Sequence, residues 1–385
     1  MSGMKIFMIS RGYPSKRDPQ WGCFEKDQAE ALQAAGHEVV VLSVDSRFRW
    51  YYRPLGISHR VVNSIHVYDC FVIPAAITTL LFGAKMSAKI RRWQFKHLFC
   101  RIKGKYGMPD LLYAHYMPNI HLAIPTHIKH HIPLVGIEHW SEMGKKTVKS
   151  EVVALAKETY PYVDKLIAVS ESLKNNIKKY AKEDAIVVHN MVGQEFTYSP
   201  AVCAHPLTLV AVGSLIHGKG FDLLIQALDQ IRSQLPADWK CNIIGEGNQH
   251  AALQQQIDNA CLTDHIYLLG QKNKQEIVTL LQQSDFFVLP SRSETFGVVY
   301  IEAMACGLPV IATDCGVPSS LITSQNGLFI PVDNVNALSD AIIRMTIHLA
   351  EYNRQAIAQN CQERFAPKVI AQQLTQIFEQ VIART

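Results

Sequence analysis

Short apolar runs alternate along this chain with stretches whose apolar positions recur every three to four residues. The first run is MKIFMIS, a strand pattern, followed by a helical pattern from Phe24 to Ala35 that stops at Gly36; HEVVVLS then completes a βαβ unit. Further strand patterns follow at DLLYAH, PLVGIEH, KLIAVS and AIVVHN. After a break the alternation restarts with LTLVAVG, KCNIIGEG, HIYLLG, DFFVLPS and LPVIAT, again with helical stretches between them. Strands separated by helices predict parallel sheets covered on both faces, so each half reads as a doubly wound α/β domain. The break falls between Gly193 and Pro206, where GQEFTYSPAVCAHP loses its periodicity and holds two prolines. The expected organisation is a first domain over residues 1–195, a second over 207–366, and a C-terminal segment 367–385 whose helix, Lys368 to Ala383, is opened by Pro367.

With 385 residues and 48% hydrophobic content, the chain can bury two cores. Its nine cysteines are scattered, odd in number and free of any Cys-x-x-Cys pair, which predicts reduced thiols in a cytoplasmic protein. The N-terminal apolar run is too short and too strand-like for a signal peptide, and no run of about 18 apolar residues suggests a membrane span. The net charge of +5 hides an opposition: residues 1–200 carry 27 Lys and Arg against 17 Asp and Glu, and the remainder carries 11 against 16. The strongest bias lies in residues 71–109, which hold Lys85, Lys89, Arg91, Arg92, Lys96, Arg101, Lys103 and Lys105 and no acidic residue. There Phe82, Met86, Ile90 and Trp93 share one helical face and Phe95, Leu98, Phe99 and Ile102 another, so the apolar stripe changes sides along one kinked helix or two. Two readings stand: a packed helix with a solvated basic face, or an interfacial helix that meets an anionic membrane surface. Nucleic acid is not an expected partner, because the charge is local and no nucleic-acid-binding motif accompanies it.

Candidate chemistry concentrates in the second half. Glu294 and Glu302 stand eight positions apart around Gly297 at a predicted helix start. The free N–H groups of such a start favour an anion such as a phosphate, while the carboxylates can accept hydrogen bonds from hydroxyls. That combination suits a nucleotide-linked sugar better than a metal or a peptide. In GSLIHGKGF, Lys219 lies between Gly218 and Gly220 at a strand's carboxyl end, where open α/β sheets bind ligands. Neither half has G-x-G-x-x-G after its first strand, which argues against NAD or FAD. His115, His121, His127, His130 and His131 crowd together in sequence, but no ligand motif accompanies the i, i+4 pair His127 and His131, and no metal site is expected.

The segment SRSETFGVVYIEAMACGLPVIATDCG resembles the Glu-x7-Glu signature of the retaining glycosyltransferases of family 4 (glycosyl transferases group 1), two-domain enzymes of GT-B architecture. LTLVAVGSLIHGKGFDLLIQAL, CNIIGEG, DFFVLPSRSE and NGLFIPVDNVNALSDAI extend the likeness, as do WGCFEKDQAEALQAAGHEVVVLS, LIAVSESLKNNI and VVHNMVGQEF in the first half. The resemblance implies two Rossmann-like domains facing across a cleft, the first binding the acceptor and the second the donor, with the terminal helix returning to the first. It also implies site roles. Glu302 would hold ribose hydroxyls, Glu294 a hydroxyl of the transferred sugar, and Phe296, Gly297 and Val298 the sugar and phosphates through backbone groups. Lys219 would act on the diphosphate as electrostatic catalyst, and His139 would contact the transferred sugar, so that His139, Lys219 and Glu294 form the catalytic set. Gly22 would lie beside the donor phosphates, and the loop with Tyr13, Arg17 and Trp21 would select the acceptor.

Two departures stand out. Ser214, in the donor set, occupies the place of a usual arginine, leaving Arg292 or His217 as possible helpers for the phosphates, and Cys315 and Ser319 stand where a Gly and a Glu are common. The implied function is retaining transfer, without metal or cofactor, from a UDP- or GDP-sugar to a hydroxyl of a membrane-associated acceptor. A lipid-linked surface polysaccharide intermediate on the inner face of the cytoplasmic membrane is the expected acceptor. A phospholipid or a small soluble acceptor, or a nucleotide-sugar-binding subunit without catalysis, are the alternatives.

Overall fold

The run KIFMIS forms β1 (Lys5–Ser10), buried along nearly its whole length, and it lies inside an eight-stranded sheet. The other strands are β2 (Glu38–Val44), β3 (Gly56–Val62), β4 (Ile65–Phe71), β5 (Leu111–His115), β6 (Leu134–Glu138), β7 (Lys165–Ala168) and β8 (Ile186–Val187), in the order β3-β4-β2-β1-β5-β6-β7-β8. Helices α1 (Cys23–Ala34), α2 (Ala75–Tyr106), α3 (Met117–His130), α4 (Ser141–Gly144), α5 (Ser150–Thr159) and α6 (Glu171–Ala181) connect them. β1 pairs in parallel with β2 on one side and β5 on the other, so the winding reverses there and the loops after these strands open a crevice. This computed structural model describes residues 3–19, 21–48, 53–145, 147–200, 206–316 and 321–384.

The antiparallel hairpin of β3 and β4 has no counterpart in the sequence expectations. Its turn is Asn63-Ser64, both at positive φ (49° and 65°), a two-residue primed turn whose twist matches that of the strands. β3 is largely exposed or half-buried, which is why it shows no clean alternation.

Helix α2 breaks at Gly83, whose φ of 78° and ψ of 162° interrupt the helix. The change of apolar face read from the sequence corresponds to a change of environment. Phe95, Leu98, Phe99 and Ile102 lie in the core, whereas Leu80, Leu81, Phe82 and Trp93 are 85, 64, 59 and 60% exposed. One half of the segment is thus a packed helix and the other presents large apolar side chains to solvent.

The second compact unit, residues 190–366, is a six-stranded parallel sheet. Its strands are β9 (Thr208–Val212), β10 (Lys240–Ile244), β11 (Ile266–Leu268), β12 (Phe286–Leu289), β13 (Val310–Thr313) and β14 (Gly327–Ile330), in the order β11-β10-β9-β12-β13-β14. The helices are α7 (Phe221–Ile231), α8 (His250–Asn259), α9 (Lys274–Gln282), α10 (Val298–Ala305), α11 (Val335–Ile347) and α12 (Arg354–Phe365). The strands are buried runs flanked by helices whose apolar residues face them, as for α7 with Phe221, Leu224, Leu228 and Ile231. The unit begins a few residues before the expected boundary, because Met191, Val192 and Phe196 are buried and Val192 N–H donates to Phe365 O at 2.9 Å.

Helix α13 (Pro367–Ile382) belongs to the first unit, residues 1–189 with 367–385. It buries Ile370, Ala371, Leu374, Phe378 and Val381, packs along α1, and sets the Phe378 ring edge-on to Tyr113 at 4.9 Å. Phe378→Ala should lower stability by about 3–5 kcal/mol, read as a fall in Tm or denaturant midpoint. An unchanged midpoint would show that α13 adds nothing to the unit. No described helix is long and apolar enough to cross a membrane.

Candidate functional site

In the second unit, β9 and β12 are neighbours whose connections leave on opposite sides, and the candidate residues sit in the loops at their carboxyl ends. After β9 the chain makes a single 3₁₀ turn, His217–Lys219, and enters α7 through Gly220 at φ 70°. A Cβ on Gly220 would lie 2.1 Å from the carbonyl oxygen of Pro290, so only glycine lets the two loops touch backbone to backbone. That contact brings Lys219 to Glu294. Lys219 Nζ donates to Glu294 Oε1 at 2.6 Å, and Ser291 Oγ donates to the same oxygen at 2.9 Å. Glu294 N–H donates to Cys315 O at 3.1 Å.

Gly297, at φ 80°, turns the chain into α10, and as a glycine N-cap it offers no side chain to the helix's first turn. Its leading N–H groups are therefore placed to receive an anion. Val298 opens the helix and Glu302, half-buried, projects from its second turn. The Phe296 ring is in the core against Phe365 at 6.0 Å, which leaves only its backbone for a ligand. Ser214 is exposed beside the loop, and Ser319 lies outside the described residues.

Arg292 does not supply the cation that Ser214 lacks. Its Nη1 and Nη2 donate to the two carboxylate oxygens of Asp222, each at 2.7 Å, Nη1 also to His217 O at 2.7 Å, and Nε to Asp333. These carboxylates push its pKa further up, so Arg292 is a fixed brace between loops. Cys306 is buried and its thiol is pushed up to about 12 by burial and by Glu302, which rules out a nucleophilic thiolate.

In the first unit, Gly22 at φ 81° starts α1, and a Cβ there would lie 2.3 Å from Gly12 O. The same close approach holds Tyr13 and Trp21 in place. Both line a cavity of about 140 Å³ with Arg53, Arg60, Asp45 and Asp69, and Trp21 also lines an adjoining cavity of about 290 Å³. Arg17 is exposed and lines neither. Sequence reading passed over Arg11, Arg47, Tyr116, Asn119 and Trp140, which line the second cavity, and counted Arg91, which joins them there, only among the basic residues of 71–109. Position would have found several of them: Arg11, Tyr116 and Trp140 each stand within two residues of the carboxyl end of a strand.

His139 is buried after β6 and stacks between Phe24 at 6.1 Å and His115 at 5.4 Å. Tyr116, in contact at 5.1 Å, holds a φ of 68°, a strained backbone that the surrounding packing must maintain at a cost of about 1–3 kcal/mol. Glu138, beside His139 in sequence, is fully buried. It accepts from Met117 N–H, Trp140 N–H and Tyr160 OH at 3.0, 2.8 and 2.8 Å, which fixes the loop after β6, and burial raises its pKa.

His115 is fully buried, and burial with nearby Arg11 lowers its pKa to about 3. The unfolded chain gains a proton near pH 6.5 and the folded one only near 3, so stability falls as the pH drops through that window. Between pH 6.5 and 5 this histidine should cost about 2 kcal/mol, at about 1.4 kcal/mol per pH unit. His115→Phe, which keeps a ring in the stack, should flatten that part of the Tm–pH curve; an identical acid limb would contradict the assignment. The other clustered histidines are dispersed, His121 against Arg92 and Thr159 and His127 against Ile132 O. Among the described residues no three His, Cys, Asp or Glu are arranged to hold a metal.

The family model described as Glycosyl transferases group 1 matches residues 204–363, and that described as Glycosyltransferase Family 4 matches residues 26–196. An uncharacterized glycosyltransferase of Methanocaldococcus jannaschii, MJ1178, is 32% identical over 258 residues, 66% of this chain and 70% of the relative. A putative teichuronic acid biosynthesis glycosyltransferase of Bacillus subtilis, TuaC, is 29% identical over 363 residues, 89% of each chain. Sucrose-phosphate synthase from Thermosynechococcus elongatus shares the fold at a TM-score of 0.78 and 20% identity, over 99% of this chain and 100% of that one. With two Rossmann-like units of the GT-B fold, the chain belongs to the glycosyl transferases group 1, family 4, and is a glycosyltransferase of the hexosyltransferase type.

Proposed function

We propose that the protein transfers a sugar, with retention and without metal or cofactor, from a UDP- or GDP-sugar to a hydroxyl of a membrane-associated acceptor, a lipid-linked surface polysaccharide intermediate. The observation that carries the donor half is the meeting of Lys219 and Glu294 beside the glycine-started N-terminus of α10. A diphosphate fits the cation and the helix N–H groups. The carboxylates of Glu294 and Glu302 then accept from the sugar and ribose hydroxyls, with Gly297 and Val298 close to the phosphates. Lys219 stabilises the negative charge that builds on the departing nucleotide, so the site works by positioning and electrostatics. His139 is assigned to the transferred sugar, Gly22 to the phosphates, and Tyr13 and Trp21 to the acceptor.

The membrane half rests on Leu80, Leu81 and Phe82, exposed at the break in α2 and followed by Lys85, Lys89 and Arg92 with no acidic residue between. Apolar side chains beside cations suit an anionic lipid surface, which would place the protein peripherally on the inner face of the cytoplasmic membrane. The putative teichuronic acid role of the Bacillus relative agrees with a polysaccharide acceptor. The test is the anomeric configuration of the product by proton NMR in EDTA: an α-linked sugar from an α-linked donor is expected, and inversion or loss of transfer on chelation would refute the mechanism.

A further inference from the structure

The cavity of about 290 Å³ in the first unit, near the lower end of the ~300–1,000 Å³ usual for small-molecule sites, holds an imbalance of charge. Three guanidinium groups line it, from Arg11, Arg47 and Arg91, against one carboxylate, Asp45. Two of the three are already neutralised. Arg11 Nε donates to buried Glu25 at 3.0 Å, and its guanidinium lies over the rings of Tyr116 and Trp21, at 3.7 and 4.7 Å. Arg47 pairs with Asp45 at 2.9 Å and with Asp18 at 3.6 Å, and Asp45 also receives Arg53 at 3.3 Å.

Arg91 differs. Its Nη2 donates to the neutral amide of Asn119 at 2.8 Å, and its Nε is sealed from solvent with no hydrogen-bond partner among the described residues. Among the described residues no carboxylate lies within 4.0 Å of it. A half-buried guanidinium whose hydrogen-bonded partner is a neutral amide, with Asp45 acting on its charge only from a distance, leaves one sealed donor unsatisfied, an arrangement that an anion would relieve. Burial accordingly draws its pKa below the ordinary arginine value. Guanidiniums stack over Trp21 and Tyr116, Arg47 at 3.0 Å and Arg11 at 4.7 Å from Trp21 and Arg11 at 3.7 Å from Tyr116, whereas Trp140 lines the same cavity with a flat apolar face of the kind that packs against a sugar ring.

We propose that this cavity binds an anionic group of the acceptor, a phosphate or a carboxylate, with Arg91 as its principal ligand and the Trp140 indole holding the adjacent sugar. The inference rests on the acceptor reading above and sharpens it: the acceptor is charged close to the hydroxyl it presents. Arg91 stands eight residues beyond the break at Gly83, on the helical segment that follows the exposed Leu80–Phe82 turn, so the two sides of one kink would serve the lipid surface and the charge of what is attached to it. A phosphate would mark a lipid-linked sugar phosphate, and a carboxylate would mark an acidic sugar of the growing chain.

Calorimetric titration of the full chain with glucose 1-phosphate, glucuronate and methyl glucoside tests this. One or both anions should bind at least ten-fold more tightly than the neutral glycoside, phosphate preference pointing to the first source and glucuronate preference to the second. Arg91→Gln should abolish the difference and Arg91→Lys should restore part of it. Should Arg91→Gln fail to fold, Asn119→Asp serves, since it sets a carboxylate against Arg91 and should weaken anion binding by a similar factor while keeping the cation. Equal affinity for all three probes, or anion binding unchanged in these variants, overturns the proposal. Nucleoside diphosphate release and vesicle binding, measured on the same wild-type protein, separate that failure from a failure of the transferase or membrane readings.

Discussion

Lys219→Ala is expected to lower kcat for sugar transfer by about 10²–10³-fold, the range seen when one preorganised electrostatic group is removed from a transition state. The lysine is held in place before any ligand arrives, since Glu294 and Gly220 fix the ends of its loop. Charge grows on the leaving diphosphate as the sugar bond breaks, so the loss should fall mainly on kcat and less on KM. The same change leaves Glu294, 9% exposed, with Ser291 as its remaining side-chain donor among the described residues. The ligand-free variant should therefore also lose about 1–3 kcal/mol of stability. Steady-state kinetics and thermal melts of Lys219→Ala and Glu294→Gln read both effects. A kcat within a factor of three of wild type would remove Lys219 from the chemistry.

Replacing Leu80, Leu81 and Phe82 together by serine is expected to weaken binding to anionic vesicles about 100-fold while leaving Tm nearly unchanged. These side chains are already mostly exposed, so folding has little to lose. Partial insertion of three such groups contributes about 1 kcal/mol each, well under the ~1.5–3 kcal/mol of full burial. The neighbouring cations add about 1 kcal/mol apiece near a negative surface, so wild-type binding should also fall steeply with salt. Sedimentation with anionic and neutral vesicles measures this. Equal pelleting of wild type and triple variant would leave the exposed turn without a membrane role.

The parallel sheets were legible because apolar runs and helical periods alternate cleanly, and the donor loops because glycines, Lys219 and the two glutamates punctuate them. What escaped was set by tertiary environment. β3 is too exposed to alternate, so the hairpin turn at Asn63-Ser64 was invisible to hydrophobic pattern. Arg292 looked available in sequence, yet Asp222 and Asp333, which saturate it, lie far along the chain in both directions. Likewise Arg91 was one of eight basic residues in a biased stretch, and only its burial against Asn119 sets it apart from its exposed neighbours. Periodicity located the change of face in α2 but could not say which face meets the core.

The most direct test follows release of nucleoside diphosphate from a panel of UDP- and GDP-sugars by wild type and Glu302→Ala, in EDTA and with a membrane-lipid extract as acceptor source. The account predicts release from one donor by wild type and at least a ten-fold lower rate in the variant. No release from any donor, or equal release by both proteins, would contradict it.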